Sequence, residues 1–354
     1  MSLVYLLPLI LLAVAISNFL LFRNPKIGAQ LNLSIGVILP LRNEAENIEG
    51  LISTLSKQKG DLHFYLLDDN SEDKTFELVQ QFTAGDPRFT LLAGTALADG
   101  WIGKTWALQQ LFEKSKEEII VSMDADVRLS DEAISMAAVT LSESKFDFIS
   151  PYPRQLAVTF GERLIQPLLQ WSWLSTVPLR IAERSTRKSL AVANGQLFVV
   201  RRTALAEIGG YNLIKHAVID DVFLARALIG NGCFGTVING AAIAQCRMYS
   251  SWNEIQAGYG KSLSKAFGSI FGTVIVIIFL FLSSVAPFIL GLFGNPYGWL
   301  GYFLIISTRV LSAIRTRGQI IDCLLHPISA IALIYLIIHS HLVQNTVTWK
   351  GRTL

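Results

Sequence analysis

Ile119-Ile120-Val121-Ser122-Met123-Asp124-Ala125-Asp126 is the stretch whose reading decides the fold. Its first residues are mostly apolar and β-prone and run straight into two aspartates one residue apart, the pattern of a buried strand ending in acid. Alternation along an extended chain predicts Asp124 and Asp126 on one side, with carboxylates able to converge on a hard cation. Two carboxylates rarely hold such an ion alone: Mg2+ and Mn2+ complete their oxygen shell with water and a substrate's phosphates. The pair is therefore a candidate grip for a nucleoside diphosphate. In isolation it reads first as a polar loop after a strand, and only its surroundings reverse that reading.

Upstream, Ser34–Leu39 is a short apolar run closed by Pro40, and Ile48, Leu51, Ile52 and Leu55 follow at helical spacing. A second run, Leu62–Leu67, ends in Asp68-Asp69-Asn70-Ser71-Glu72-Asp73 and precedes a helix carrying Phe76, Leu78, Val79 and Phe82. A third run, Phe89–Leu92, precedes the helix Lys104–Lys116, and the opening strand comes next. Strands alternating with helices predict an α/β domain whose mostly parallel sheet is covered on both faces. Ligands on such sheets sit at the carboxyl ends of the strands. Pro40, Arg42, Glu44, Asp68, Asp69, Asp124 and Asp126 all fall there. Downstream, Asn194-Gly195-Gln196 precedes the strand Leu197–Val200, and Asp220-Asp221 opens a helix, where capping accounts for one acid and leaves one spare. Gly230, Gly232 and Gly235 spell Gly-x-Gly-x-x-Gly, but after a helix and before a strand, the reverse of a phosphate-binding turn; they read as a helix stop.

The composition points to a membrane. Of 354 residues 51% are hydrophobic and 16% charged, too apolar for an ordinary water-soluble enzyme. Residues 2–22 and 269–308 hold no charge, and Ile320–Ile338 carries only Asp322. Arg23 and Lys26 after the first segment predict an uncleaved anchor with the following domain in the cytoplasm. Ile270–Leu292, Trp299–Ser307 and Ile320–Ile338 read as three spans, with Arg309, Arg315 and Arg317 in a cytoplasmic connection. Leu164–Leu179, with Trp171 and Trp173 between Pro167 and Pro178, and the amphipathic Ser251–Phe267 read as interfacial segments or as buried helices. The formal net charge of +3 is unclustered and gives no nucleic-acid surface. Cys233, Cys246 and Cys323 form no disulfide framework or C-x-x-C site, which suits a reducing compartment. His63, His216, His326, His339 and His341 offer no zinc-binding i,i+4 pair.

Together, Ile38–Ile48, Leu66–Thr75, Gly103–Leu108, Met123–Val127, Asn194–Tyr211 and Ile219–Arg226 resemble the motifs of family 2 glycosyltransferases, inverting nucleotide-sugar enzymes of the GT-A fold. Gly100–Ala107 and the terminal Thr348-Trp349-Lys350-Gly351-Arg352 look most like membrane-bound carotenoid glycosyltransferases of the diaponeurosporenoate type, with hopanoid-associated enzymes next. The resemblance implies that Pro40, Glu44 and Asp69 contact the donor's base and ribose, with Arg42 and Asp68 also on the donor side, that Lys104 lies near the nucleotide, that Asp124 and Asp126 hold the sugar and the Mg2+ or Mn2+ diphosphate, and that Asp221 is the catalytic base. Asn194, Gly195, Gln196, Asp220, Arg247, Tyr259 and Lys261 fall on the acceptor side. The donor implied is a UDP-sugar, or a GDP-sugar, and the acceptor a carotenoid hydroxyl or carboxylate, with hopanoid, sterol or glycerolipid as alternatives. The Gln-x-x-Arg-Trp of processive relatives is not found, since Gln256-Ala-Gly-Tyr259-Gly leads to Lys261, which weighs against a polysaccharide synthase; intact acids weigh against a non-catalytic scaffold. The expected organisation is an anchor over residues 1–23, a cytoplasmic GT-A domain over 24–268 with interfacial segments near 162–180 and 251–267, a transmembrane region over 269–341 and a tail over 342–354.

Overall fold

The computed structural model of the protein describes residues 3–26 and 33–343, together with the backbone of 348–349 and 352–353. The chain divides into two compact units: Arg23–Arg154 with Ile181–Cys246, and Met1–Phe22 with Gln155–Arg180 and Arg247–Leu354.

In chain order the strands preceding residue 247 are β1 (Ile35–Leu41), β2 (Leu62–Asp68), β3 (Phe89–Ala93), β4 (Ile119–Met123), β5 (Val127–Leu129), β6 (Phe148–Tyr152), β7 (Arg154–Gln155), β8 (Leu197–Arg201), β9 (Gly235–Asn239) and β10 (Ala244–Cys246). Seven of them form one sheet in the order β3-β2-β1-β4-β8-β6-β9. β3, β2, β1 and β4 are mutually parallel and β9 runs parallel to β6, whereas β8 is antiparallel to both β4 and β6. This is the mostly parallel α/β sheet that the alternation predicts. Its exception, β8, follows the long excursion of the chain through Gln155–Arg180, so no single crossover helix forces it parallel. Pro40 is tolerated inside β1 because β4 pairs only with Ile35–Ile38, so beyond that point one flank of the strand needs no ladder donor.

The core fixes where the polar strand ends point. Ala107, Leu108, Leu111 and Phe112 of the helix Gly103–Lys114 pack in one cluster with Ile38, Leu67, Ile120 and Phe198 of the sheet and with Leu224, Ala225 and Leu228 of the helix Asp220–Gly230. Each large apolar side chain buried there contributes about 1.5–3 kcal/mol. The two helices whose first turns carry Lys104 and Asp220-Asp221 thereby share a single seat on the sheet. At the Gly-x-Gly-x-x-Gly, Gly230 ends the second of these helices, Gly232 takes φ +89°, and Gly235 opens β9 where a Cβ would collide with the Phe148 carbonyl. The motif is thus a helix stop followed by a close strand contact.

Among the described residues the other unit contains three helices long and apolar enough to cross a membrane: Ile270–Leu292, Pro296–Thr316 and Ile320–Val343. Ile270, Phe271 and Phe303 expose 75%, 76% and 60% of their surface, a cost that lipid removes. The second helix runs well past Ser307, where hydropathy ends the span, because Arg309 is buried within it instead of standing in a connection. Leu6–Leu21 is a shorter apolar helix of 16 residues. Phe160–Thr176 continues through Pro167, starts with a Thr159/Glu162 capping box, and buries Trp171, whose Nε1–H donates to Thr308 Oγ1 at 2.7 Å. In the tail Thr348–Trp349 pairs antiparallel with Arg352–Thr353; Lys350, Gly351 and the tail side chains lie outside the described residues.

Leu108→Ala should cost about 2–5 kcal/mol, because it opens a cavity beneath both helices. Leu97→Ala, at a side chain 41% exposed, should stay within about 0.5 kcal/mol. Thermal unfolding followed by circular dichroism compares the two; equal losses would contradict the shared-seat description.

Candidate active site

β4 ends at Met123 and the chain turns at once: the Val127 N–H donates to the Asp124 carbonyl at 3.3 Å and β5 begins at Val127. Asp124 and Asp126 are therefore not same-face residues of an extended strand, as alternation predicts, but neighbours in a tight turn. The reversal follows from β5 leaving the large sheet to pair antiparallel with β10, Val127 opposite Cys246. Asp126 makes a side-chain hydrogen bond with Cys246, while its Oδ1 is buried with no hydrogen-bond partner among the described residues.

Lys104 draws the acids together. Its Nζ lies 2.9 Å from Asp124 Oδ1 and 3.3 Å from Asp220 Oδ2. Asp221, beside Asp220 at the same helix start, is held instead by backbone donors: Gly195 N–H to Oδ2 at 2.6 Å and Val222 N–H to Oδ1 at 2.7 Å. A Cβ at Gly195 would stand 3.5 Å from Lys104 Nζ and 3.6 Å from Asp221 Oδ2, so that glycine borders the same space. Asn194 Oδ1 accepts from the Gln196 N–H at 2.8 Å; the Gln196 carbonyl accepts from the Asp124 N–H at 3.2 Å, and its Nε2 donates to Cys246 Sγ at 3.0 Å.

β2, β1 and β4 are consecutive parallel strands, so their carboxyl ends line one edge. Pro40, Arg42, Glu44, Asp68 and Asp69 stand there. Arg42 is 6% exposed and donates to the Asp69 and Asn70 carbonyls at 2.7 and 2.6 Å, clamping the end of β1 to that of β2. Glu44 Oε2 accepts from Asn47 Nδ2 at 2.8 Å. Asp68 Oδ2 accepts from the Ser71 N–H at 3.2 Å, and its Oδ1 is buried without a partner among the described residues. Arg247, Tyr259 and Lys261 belong to the other unit. There Arg247 donates to Glu162 Oε1 at 3.0 and 3.2 Å, Tyr259 O–H donates to Gln166 Oε1 at 2.9 Å, and Lys261 sits on the helix Trp252–Ala266.

Three residues to which the sequence assigned no part in the site, Arg128, Asn47 and Cys246, complete the acidic turn. Arg128 donates to the Ala125 and Val127 carbonyls at 2.7 and 3.0 Å and to Asn47 O and Oδ1 at 3.2 and 3.1 Å, pinning the turn to the helix Ala45–Ser56. Cys246 is the third; burial and the Asp126 carboxylate push its thiol well above the ordinary value, so it remains an S–H donor. The available signal was the place of Arg128, two residues past Asp126.

Four aspartates around one ammonium leave excess negative charge. Burial pushes Asp124 up to about 7, with Asp126 and Asp220 adding to the rise and Lys104 opposing it. Burial and Asp220 push Asp221 up to about 6, and burial likewise raises Asp126. For Lys104 burial works against the charge, but Asp124, Asp220 and Asp221 outweigh it and hold the ammonium protonated. The donor set suits a divalent cation: two hard-oxygen carboxylates, one with a buried orphan oxygen. Among the described residues no group of three or more His, Cys, Asp and Glu forms an all-protein metal cage, so water and phosphate would have to supply the remaining ligands.

Residues 36–209 match the glycosyl transferase family 2 model. The chain carries a family 2 glycosyltransferase domain. Its relatives include 4,4'-diaponeurosporenoate glycosyltransferase of Staphylococcus haemolyticus (strain JCSC1435), 24% identical over 269 residues, 75% of this chain and 70% of that protein. The protein of the same name from Staphylococcus aureus (strain bovine RF122 / ET3-1) is 23% identical over 336 residues, 90% of this chain and 88% of its own. Beta-monoglucosyldiacylglycerol synthase of Nostoc sp. (strain PCC 7120 / SAG 25.82 / UTEX 2576) is 25% identical over 191 residues, covering 52% of this chain and 39% of that protein. Among solved structures, the mannosyltransferase PcManGT from Pyrobaculum calidifontis in complex with GDP-Man and Mn2+ superposes with a TM-score of 0.59 at 16% identity, over 97% of this chain and 96% of that one. The glycosyltransferase is thus a GT-A fold with carotenoid-type relatives.

Two outcomes test the geometry. Gly195→Ala meets only ordinary contacts, so the fold should hold while kcat/KM falls about tenfold or more as the methyl fills the space between Lys104 and Asp221. Binding of Mn2+ with a nucleoside diphosphate needs ionised carboxylates; since Asp124 sits at about 7, affinity should rise about tenfold from pH 6 to pH 8, with proton uptake by buffer seen in calorimetry. A flat profile would contradict the raised carboxylates.

Proposed function

We propose that this glycosyltransferase moves a sugar, with inversion, from a nucleotide-sugar donor to an apolar membrane lipid, a carotenoid hydroxyl or carboxylate first among them. The observation that carries the reading is Lys104 bridging Asp124 to Asp220: it joins the acidic turn to the helix that holds Asp221, around one space bordered by Gly195. Asp220 is committed to Lys104, which leaves Asp221 as the base. Its two oxygens are oriented by backbone N–H groups, and a carboxylate at about 6 is ionised yet basic enough at neutral pH to take a hydroxyl proton. For an acceptor that is already a carboxylate, Asp221 positions the nucleophile and needs to remove no proton.

Asp124 and Asp126 would hold Mg2+ or Mn2+, which when bound neutralises charge developing on the departing diphosphate. Lys104 offers the same diphosphate a fixed ammonium. Arg128 and Cys246 keep the turn in shape, and Arg42 keeps the nucleoside edge closed. A nucleoside diphosphate is a good leaving group once neutralised, so no second acidic carboxyl is required, unlike glycoside hydrolysis. A UDP-sugar is the favoured donor and a GDP-sugar the alternative. Three helices of membrane-spanning length support a lipid acceptor, and Arg23 and Lys26 behind the first apolar segment support a catalytic domain on the cytoplasmic face. The glycerolipid relative gives a second acceptor class, diacylglycerol type.

Purified full-length protein incubated with UDP- and GDP-sugars, Mn2+ and membrane lipid extract should yield a glycosylated apolar lipid by mass spectrometry; glycosylation of water-soluble acceptors alone would refute the reading. Asp221→Asn should keep nucleotide binding and lose about 10²–10⁴ in kcat on a hydroxyl acceptor. Unchanged turnover there would remove Asp221 from the mechanism.

A further inference from the structure

Hydropathy reads Ile320–Ile338 as a third span, but the contacts of this segment run the wrong way for one. The helices Ile270–Leu292 and Pro296–Thr316 form an antiparallel hairpin. Gly298 approaches Gly291 so closely that a Cβ would collide with its backbone, and a Cβ at Gly301 would stand 3.0 Å from Pro287. Ile270 and Thr316 therefore share one side of the bundle, the near side, and Leu292 and Pro296 share the far side. Phe22 is also near: its carbonyl accepts from Arg315 Nη2 at 2.5 Å, whereas Tyr5, before the other end of the first apolar helix, stacks on Tyr297 with ring centroids 5.8 Å apart. A span entering after Thr316 would start at the near side and finish at the far one.

The helix His326–Val343 does the reverse. At its start His326 Nε2 shares a hydrogen bond with Ser284 Oγ at 3.0 Å, and its ring meets Trp171 edge-on with centroids 4.5 Å apart. Ser284 lies about 16 Å along its own helix from Thr273 and about 12 Å from Leu292, so His326 starts deep in the bundle. The other end is at the near side. His341 Nε2 meets Thr273 Oγ1 at 3.1 Å, while Ser340 Oγ donates to the Gly260 carbonyl and accepts from the Ser264 N–H, both at 2.8 Å. Gly260 and Ser264 belong to the helix Trp252–Ala266, which precedes Ile270. The climb from Thr316 to His326 is made by the 3-10 helix Ile320–Leu325, whose six residues rise about 12 Å. A chain reversal at membrane depth is tolerated only where protein satisfies its polar groups. Here Asp322, 3% exposed, pairs with Arg163 Nε at 3.0 and 3.1 Å, and the Leu324 carbonyl accepts from the Tyr302 O–H at 3.1 Å. Exposed Ile321, Leu324, Ile328 and Ile331 leave an apolar face for acyl chains.

We infer that Ile320–Val343 is a re-entrant segment: it dips into the near leaflet, turns at the depth of Ser284 and leaves by the side it entered. The chain beyond Val343 therefore ends on the side where Phe22 leads into the catalytic unit. That keeps the aromatic and basic sequence Trp349-Lys350-Gly351-Arg352 on the same side of the bilayer as the start of that unit, where a full third crossing would strand it opposite. The topology is the same whichever face of the membrane is cytoplasmic.

The test places one reactive cysteine at a time in the full chain and follows its labelling by a charged, membrane-impermeant maleimide in bacterial spheroplasts, before and after lysis, as a mass shift. Cys233, Cys246 and Cys323 are buried, and the unaltered chain gives their background. Phe293→Cys marks the far side and Gln319→Cys the near side, both at exposed positions. A third chain carries a cysteine appended after Leu354. The appended cysteine should label under the same condition as Gln319→Cys and the opposite condition to Phe293→Cys. Labelling together with Phe293→Cys would overturn the inference and restore a full crossing. Identical labelling of Phe293→Cys and Gln319→Cys would refute it equally, because the hairpin would then not cross at all. Protease removal of an epitope appended after Leu354 must report the same side as the appended cysteine. Because the comparison is between positions on one chain, its outcome is separate from the choice of donor, acceptor and cytoplasmic face.

Discussion

One ammonium among four carboxylates sets the terms for the rest of the catalytic unit. Asp124, Asp126, Asp220 and Asp221 crowd one half-buried site, and Lys104 is the cation that the chain itself supplies, against Asp124 and Asp220. One positive charge does not neutralise four acids, and the remaining excess is what the proposed metal-bound diphosphate would offset. Holding the acids there requires a rigid frame. The frame is the apolar cluster beneath the helices Gly103–Lys114 and Asp220–Gly230, packed on β1, β2, β4 and β8.

Much of this frame was legible in the sequence because apolar periodicity is enforced by burial. The runs at Ser34–Leu39, Leu62–Leu67 and Ile119–Met123 became neighbouring parallel strands, and their polar ends fell on one edge as such sheets require. What was not legible came from pairing partners distant in sequence. The turn at Asp124–Asp126 exists because β5 pairs with β10, and no local pattern announces a strand more than a hundred residues away. Cys246 and Arg128 acquire their roles only through that pairing. The same holds for Asp220 and Asp221, two identical side chains whose different partners, an ammonium for one and backbone N–H groups for the other, appear only in three dimensions.

In the membrane-type unit hydropathy located the three long helices but placed the end of the second too early, at Ser307. A buried arginine looks in sequence like a basic flank, since the two differ only in what packs around them. Trp171 shows the same ambiguity: its indole, suited to a headgroup interface, is instead enclosed and hydrogen-bonded to Thr308. Polar residues inside an apolar bundle are expensive, and their survival there points to packing or to ligands.

The account depends on Asp126 being the place where a cation and a nucleotide meet. Diffraction recorded at the manganese absorption edge, from the protein crystallised with Mn2+ and UDP, addresses that claim most directly. The account predicts one anomalous peak within bonding distance of Asp126 Oδ1, with diphosphate oxygens completing the shell and the nucleoside along the edge formed by β1 and β2. Manganese and nucleotide bound elsewhere, with Asp126 Oδ1 still buried and without a ligand, would contradict it.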